Sequence, residues 1–288
     1  MVMETLKIAG PYNFDLVLDR LSLDPLNAVN KDKRAIKVPM VIEREPIVAD
    51  VTARGTVDEP EFHISGFEDH HKAQAIARLS AIFQWNTALK QVHEHFLETR
   101  LKDLFMTHYG TPLVLDFDPY SCLLKCIVHQ QLNLSFAHTL TERMVKTFGF
   151  EKDGVWFYPE PDRLAALETE DLRTLQFSGR KAEYVIGIAR EIVEGRLDFS
   201  EIEKLPDEEI MAKLIKLRGV GPWTVQNFLL FGLGRPNHFP TADIGIQNAL
   251  KILFGLDRKP TLEEMEEYKI GWDPYLSYAS LYLWRSIE

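Results

Sequence analysis

The sequence has little of what marks secreted, membrane or metal-cluster proteins. Its 288 residues include two cysteines, Cys122 and Cys126, which are too few for a four-cysteine zinc or iron–sulfur site. We expect both to be core thiols in a reducing, cytoplasmic setting, with a weak metal pair or a redox pair as the alternatives. No apolar run is long enough to span a bilayer, and the start lacks the basic-then-apolar pattern of a secretory signal.

Positive charge is also scarce. Lys and Arg total 33 against 43 Asp and Glu, which gives a formal net charge of −10. This balance argues against broad adhesion to nucleic acid. It leaves room for a local DNA site, because helix N-termini and a few basic residues can hold phosphates on an acidic body.

Two regions differ in their periodicity. Residues 35–45, 46–56 and 61–67 have strand patterns, and residues 70–85 have the apolar spacing of a helix. Beyond residue 95 strand signals nearly vanish and helical patterns dominate. We therefore predict an α+β fold with a small mixed α/β sheet domain at 1–95. A mainly helical, two-lobed region is predicted at 96–288, with a helical hairpin at about 207–232.

The hairpin contains "LRGVGPWTV", in which two glycines and a proline separate two apolar-spaced segments. Gly219 and Gly221 permit backbone conformations that other residues avoid, and Pro222 suits the first turn of a helix. Such a turn exposes backbone N–H groups at a helix N-terminus, which attracts anions. Lys213, Lys216 and Arg218 add positive charge nearby. An ordinary helix–helix connection is the alternative.

The string L-x-G-V-G-x-x-T matches the helix-hairpin-helix motif, which grips a DNA phosphate without reading bases. Further stretches have a similar pattern: "CIVHQQLNLSFAHTL", "YPEPDRLAAL", "GRKAEYV", "FPTADIGIQ" and "WDPYLSYASLYLW". With these stretches the chain resembles the helix-hairpin-helix DNA glycosylases, and most of all the alkylbase type, DNA-3-methyladenine glycosylase II. The resemblance is strong over 100–288 and weak before it.

The resemblance implies a partner and a reaction. The partner is double-stranded DNA with damaged bases, and the reaction removes alkylated purines of the 3-methyladenine and 7-methylguanine type. It also implies that the protein is a monomer that needs no cofactor. The backbone that would hold a phosphate belongs to Leu217, Gly219, Val220, Gly221, Trp223 and Thr224. The carbonyls of Leu217 and Val220 could hold a monovalent cation.

Asp243 is the candidate catalytic residue. We expect Thr241 to cap a helix and Asp243 to lie in its first turn. By itself Asp243 is an ordinary helix-start acid. It lies 20 residues after Trp223, however, where the resemblance places a catalytic aspartate. A carboxylate there can stabilise a cationic sugar and orient the attacking water.

The resemblance also implies a pocket. Trp223 and Trp284 would stack on the extruded base, with Gln130 and Asn227 beside it, and a cationic purine suits aromatic faces. Core packing is the alternative for the tryptophans. Arg20, Asn227 and Arg285 stand at positions that are aromatic in some relatives, which leaves the lesion open.

Gln131 is the expected wedge that fills the vacated stack, with Gln130 bracing the same loop. Both could instead be a polar helix-start cluster. Trp223 occupies the place where other members carry a nucleophilic lysine, so we expect base removal without strand cleavage. The alternatives are action on deaminated or oxidised bases and non-catalytic binding of damaged DNA.

Several polar residues lie outside this scheme. Arg180 and Lys181 are expected to be solvated rather than to contact the DNA backbone. The pairs His70-His71 and His93-x-His95 show no third metal ligand in the sequence, so we expect exposed histidines.

Overall fold

An antiparallel sheet forms the first part of the fold in the computed structural model, which describes residues 3–287. Its five strands are β1 (Glu4–Lys7), β2 (Ala28–Asn30), β3 (Ala35–Ile42), β4 (Glu45–Ala53) and β5 (Glu61–Ser65). The spatial order is β1-β5-β4-β3-β2, and each pairing is antiparallel, so the predicted N-terminal sheet domain is confirmed. The antiparallel pairing of β3 and β4 has a local cause. Glu43 and Arg44 both have positive φ (51° and 68°), the geometry of a tight turn that returns β4 directly beside β3.

Four helices accompany the sheet: α1 (Phe14–Leu21), α2 (Lys72–Ile82), α3 (Leu89–Phe96) and α4 (Lys102–Thr107). The helical spacing of 70–85 corresponds to α2, which follows a short 3₁₀ turn at Asp69–His71. Its buried side chains recur at Ala75, Leu79 and Ile82. One face of α2 therefore supplies the apolar cover of the sheet.

The rest of the chain is helical apart from one hairpin. Its helices are α5 (Pro119–His129), α6 (Leu134–Phe148), α7 (Pro161–Ala165), α8 (Thr169–Thr174), α9 (Gly179–Val193), α10 (Phe199–Ile202), α11 (Asp207–Leu214), α12 (Pro222–Phe231), α13 (Ile244–Leu253), α14 (Leu262–Tyr268) and α15 (Leu276–Arg285). Asp118, Asn133 and Ser178 cap α5, α6 and α9 by accepting a first-turn N–H. Polar side chains at these caps explain where the helices begin.

The hairpin consists of β6 (Phe150–Lys152) and β7 (Val155–Phe157). The sequence analysis missed it, although Asp153-Gly154 between two short apolar runs is a strong hairpin signal. Both turn residues have positive φ, 53° and 78°. Val155 and Phe157 pack on Val48 of β4, so the hairpin attaches the helical region to the sheet.

Two hydrophobic cores result, and they do not follow the order of the chain. The first combines the sheet and α1–α4 with side chains of α13–α15. The second lies among the helices from α5 to α12 and contains Cys122 and Cys126, which confirms the core thiols. Helix α12 joins them, since Phe228 and Leu229 lie in the second core and Leu230 in the first. The helical region therefore has two lobes, as expected, and the domain boundary near residue 95 stays a prediction.

Two histidines that were expected to be exposed are buried, namely His71 and His93. The sheet also brings the Glu45 carboxylate beside His70 and His71. The three side chains form a group of potential metal ligands that the sequence did not reveal. His93 links α3 to α15: its Nε2 accepts the Gly110 N–H (2.9 Å) and lies 3.0 Å from the Tyr282 hydroxyl.

We predict that acid destabilises the fold through His93. Burial lowers the pKa of His93 to about 4, against about 6.5 in an unfolded chain. The unfolded state therefore binds more protons, so stability is full above pH 6.5 and falls as the pH drops towards 4. Urea unfolding across this range measures the loss. His93→Gln keeps an acceptor that does not titrate and should flatten the dependence. Equal slopes for the two proteins would contradict this role.

Candidate active site

The hairpin turn follows α11 directly, and its two glycines differ. Helix α11 ends at Leu214, and turn-type hydrogen bonds continue to Val220. Gly219 has φ of +90°, and a Cβ there would lie 2.2 Å from Cγ of Tyr184. Gly221 caps α12 with φ of −110°, and a Cβ there would meet no atom within 4 Å. Gly219 is required by the fold, whereas Gly221 leaves space in front of the N-terminus of α12.

Gln130 contacts the hairpin turn, which corrects the expectation that it lies beside the base. Its Nε2 donates to the Gly219 carbonyl and to Oγ1 of Thr224, both at 2.8 Å. These contacts place Gln130 against the hairpin, outside the lining of the cavity described below.

Lys181 supports the same loop, which corrects the expectation that it is solvated. Its ammonium donates to the carbonyls of Ile127 (3.1 Å), Val128 (2.9 Å) and Gln130 (2.7 Å) at the end of α5. Desolvation lowers the pKa of Lys181 to about 8. The amine thus caps orphan carbonyls of α5 and fixes the path of the chain into the next residue.

That next residue is Gln131, the predicted wedge. It is exposed, and its φ of +56° is in the left-handed region that side chains usually avoid. The supports of Gln130 and Lys181 hold this conformation. The structure thus presents Gln131 at the tip of the loop between α5 and α6.

Asp243 is the N-cap of α13, which corrects the prediction that Thr241 caps and Asp243 follows in the first turn. Its Oδ1 accepts the Ile246 N–H at 3.0 Å and the Trp284 indole N–H at 2.9 Å. Its Oδ2 accepts the Trp223 indole N–H at 2.9 Å. The two tryptophans and the aspartate therefore form one cluster, which joins the first turn of α12, the start of α13 and the end of α15.

This cluster faces a cavity of about 550 Å³. Trp223, Trp284, Asn227 and Asp243 all line it, as does Arg20. The Arg20 guanidinium lies 4.3 Å from the centre of the Phe231 ring, which in turn lies 5.5 Å from Trp284. The cavity is therefore aromatic on the side of the carboxylate, and its size is ordinary for a ligand pocket.

Asn227 and Arg285, the other two positions that are aromatic in some relatives, differ in their location. The Asn227 amide donates to the Trp223 carbonyl at 2.9 Å, one turn earlier in α12. Arg285 donates to the Leu16 carbonyl at 3.2 Å and ties α15 to α1. Only Arg20 and Asn227 among these three are in the cavity wall.

Sequence analysis missed a part of the cavity lining that we call the inner wall. Asp24, Asp116 and Lys125 line it together with His129 and His138. The Lys125 ammonium contacts Oδ1 of Asp116 at 2.6 Å and Oδ2 of Asp24 at 3.0 Å. Burial opposes its charge, but the carboxylates prevail and raise the pKa of Lys125 well above its usual value. A lone lysine within the apolar run "PYSCLLKCIVH" was the available signal.

The arrangement can stabilise positive charge beside the tryptophans. A carboxylate has about four lone-pair sites, and three are used here, which leaves capacity for a water molecule or a developing cation. The protein donors fix the carboxylate before any ligand binds. Such preorganisation is what makes a charged group effective in catalysis.

Comparisons with known proteins identify the family of this chain. Residues 124–273 match the model of the HhH-GPD superfamily base excision DNA repair proteins. A Bacillus subtilis (strain 168) protein named "Putative DNA-3-methyladenine glycosylase YfjP" is 55% identical over 289 residues, covering 100% of both chains.

Solved structures are similar as well. The structure of 3-methyladenine DNA-glycosylase from Archaeoglobus fulgidus has a TM-score of 0.87 at 21% identity, covering 98% of this chain and 97% of its own. Schizosaccharomyces pombe Mag1, solved with abasic DNA, has a TM-score of 0.61 at 26% identity, covering 68% and 95%.

The chain belongs to the HhH-GPD superfamily of base excision DNA repair proteins. Within residues 3–287, the structure contains no helix with the length and apolarity that a membrane crossing requires.

We predict opposite outcomes for the two glycines of the turn. Gly219→Ala should lower the free energy of unfolding by about 1–3 kcal/mol, because the residue has positive φ and its methyl group would strike Tyr184. Gly221→Ala should stay within about 0.5 kcal/mol, since its methyl group enters open space. Urea unfolding compares the two. Similar losses at both positions would show that the turn is not constrained as described.

Proposed function

We propose that this protein is a monofunctional DNA glycosylase. It hydrolyses the N-glycosidic bond of alkylated purines of the 3-methyladenine and 7-methylguanine type in double-stranded DNA and leaves an abasic site. The observation that carries the proposal is the Asp243 carboxylate, held by two indole N–H groups in the wall of an aromatic cavity. The full-length similarity to the Bacillus subtilis protein supports the same activity.

The chemistry follows from that carboxylate. Breaking a base–sugar bond builds positive charge on the sugar, as in other glycoside hydrolyses. Asp243 stabilises this charge and orients the water that attacks it. The target base must leave the duplex to come this close, and the cavity receives it between Trp223 and Trp284.

The lysine in the cavity does not alter the monofunctional assignment. Trp223 stands where other members carry a nucleophilic amine, and Lys125 is the one lysine among the described cavity-lining residues. Its ammonium is bound by two carboxylates, which raise its pKa well above the usual value, so it lacks the free electron pair that a Schiff base requires.

The DNA grip lies at the hairpin. The N–H groups of Gly219, Gly221 and Trp223 bind a phosphate at the N-terminus of α12, where Gly221 leaves open space. The carbonyls of Leu217 and Val220 suit a monovalent cation that bridges to the same phosphate, since neutral oxygens are the ligands of hard cations. The Leu217 carbonyl accepts the Val220 N–H at 3.1 Å and the Gly219 carbonyl accepts the Gln130 amide, so at these two carbonyls one lone pair is left for another partner. The protein acts as a monomer and requires no cofactor.

A second candidate function is the same hydrolysis with a deaminated or oxidised base as the substrate. The Arg20 guanidinium in the cavity wall offers N–H donors that suit the carbonyl of a deaminated or oxidised base. Release of individual bases from defined duplexes decides between the candidates. A protein that binds damaged DNA without releasing any base would refute both.

We expect Asp243→Asn to abolish most base release. The amide keeps the shape, loses the charge and turns an NH₂ group or a weaker acceptor towards the indole N–H groups. Loss of a preorganised charged group costs on the order of 10²–10³ in rate. Single-turnover release of 7-methylguanine measures the loss, and affinity for an abasic duplex should persist.

Asp198→Asn is the matched control, because Asp198 also caps a helix but lies outside the cavity. The native protein should form no adduct that borohydride traps and should not cut the strand. Full activity of Asp243→Asn would remove Asp243 from the mechanism. Trapping of the native protein would overturn the monofunctional assignment.

Gln131→Ala should slow release of a paired lesion more than release of the same lesion in a mispair. A wedge stabilises the vacated stack, and a mispaired base costs less to extrude. The same assay on two duplexes, differing in the opposite base alone, gives the ratio. Thr139→Ala on the neighbouring helix α6 is a control for loss of a short polar side chain. Equal slowing on both duplexes would exclude a wedge.

A further inference from the structure

The inner wall of the base cavity contains a charge cluster that the proposed mechanism does not use. Asp24 follows α1, Lys125 is on α5 and Asp116 precedes it, so three segments converge here. Asp24 is 7% exposed. Burial disfavours its charge, but Lys125 and the N–H of Leu26 outweigh this and lower the pKa of Asp24. The carboxylates of Asp24 and Asp116 are thus both held around the Lys125 ammonium.

The charges in the cavity do not cancel. Asp24 and Asp116 contact a single cation, Lys125, so the inner wall keeps one negative charge. The two histidines do not offset it. Burial lowers the pKa of His129 to about 3, and desolvation also lowers that of His138. Arg20 is the other cation of the lining, where it lies over the Phe231 ring, and Asp243 adds a third carboxylate to the same lining.

One polar atom of this wall is buried without a partner in the structure. It is Nδ1 of His138, which lies 4.0 Å from Oδ1 of Asp24. An unsatisfied buried polar atom destabilises the protein. A ligand that places a polar edge beside Asp24 and His138 would remove that penalty.

We propose that Asp24, supported by Asp116 and Lys125 and neighboured by His138, is the specificity-determining group for the positive charge of the extruded base. The inference deepens the proposed function and rests on it. Alkylation at a ring nitrogen gives a purine in DNA a positive charge that the undamaged base lacks. A fixed carboxylate in a partly dry cavity attracts this charge more than it would in water. Lys125 keeps Asp24 ionised and in place, so the wall discriminates by charge while the tryptophans bind either base by stacking.

Binding to uncleavable DNA tests this without the chemical step. A fluorine at the 2′ carbon of the sugar destabilises the cationic transition state, so a duplex with 2′-fluoro-7-methylguanosine stays intact. The matched duplex carries 2′-fluoroguanosine, which lacks the methyl group and the charge. The ratio of the two dissociation constants measures recognition of the cationic base.

The native protein should favour the cationic duplex, and Asp24→Asn should reduce this preference about tenfold. Affinity for an abasic duplex, which has no base to recognise, should stay unchanged. Asp24→Glu retains the charge and should restore most of the preference. Asp118→Asn is the matched control, because Asp118 caps α5 beside the cluster but does not line this cavity.

If Asp24→Asn fails to melt cooperatively, Asp116→Asn is tested in its place. It should also reduce the preference for the cationic duplex. A folded Asp24→Asn protein with the native preference overturns the inference. Failure of the proposed function gives a different result, in which the native protein neither releases 7-methylguanine nor distinguishes the two duplexes.

Discussion

The Asp243 carboxylate, accepting two indole N–H groups, is the interaction on which the rest of the site depends. Trp223 lies in the first turn of α12 and Trp284 in the last turn of α15, so the two hydrogen bonds tie α12, which contributes to both cores, to α15 of the first core. The bonds turn each indole edge to the carboxylate. Asp243 therefore gives the cavity a negative charge and also sets the orientation of the two tryptophans in its wall.

The hairpin is rigidly connected to this cluster because Trp223 is the second residue of α12, directly after the turn. In the proposed function, a phosphate at the N-terminus of α12 and a sugar at Asp243 are thereby held at a fixed separation. The loop that carries Gln131, the proposed wedge, belongs to the same unit. Gln130 bonds the Gly219 carbonyl, and Lys181 bonds the Gln130 carbonyl, so backbone grip, wedge and carboxylate share one framework. Fixed relative positions of this kind reduce the entropy that catalysis must otherwise overcome.

The sequence predicted what local patterns encode. Apolar spacing indicated the helices, and the two glycines indicated the turn. Asp243 was recognised through the family resemblance of its segment, since by itself it is an ordinary helix-start acid. What it could not predict depends on long-range contacts. Lysine side chains are usually solvated, so the sequence suggested the same for Lys181. Only the packing of α9 on α5 shows that its ammonium caps backbone carbonyls. Burial of His93 likewise depends on Tyr282, which lies 189 residues away. The β6–β7 hairpin was different, since its Asp-Gly signal was present and overlooked.

An acidic protein that binds DNA needs a grip that does not depend on net charge. Of the basic residues near the hairpin, Arg218 is paired with Glu183 at 2.7 Å, which reduces its contribution. Backbone N–H groups at a helix N-terminus supply directed positive potential without lysines, and the helix dipole adds to it. The negative charge of the protein then contributes to recognition of the damaged base. A cavity whose inner wall holds two carboxylates around one lysine repels phosphate, yet it suits a damaged base that carries positive charge. The same negative excess that weakens contact with ordinary DNA thus favours the alkylated base once it has been extruded.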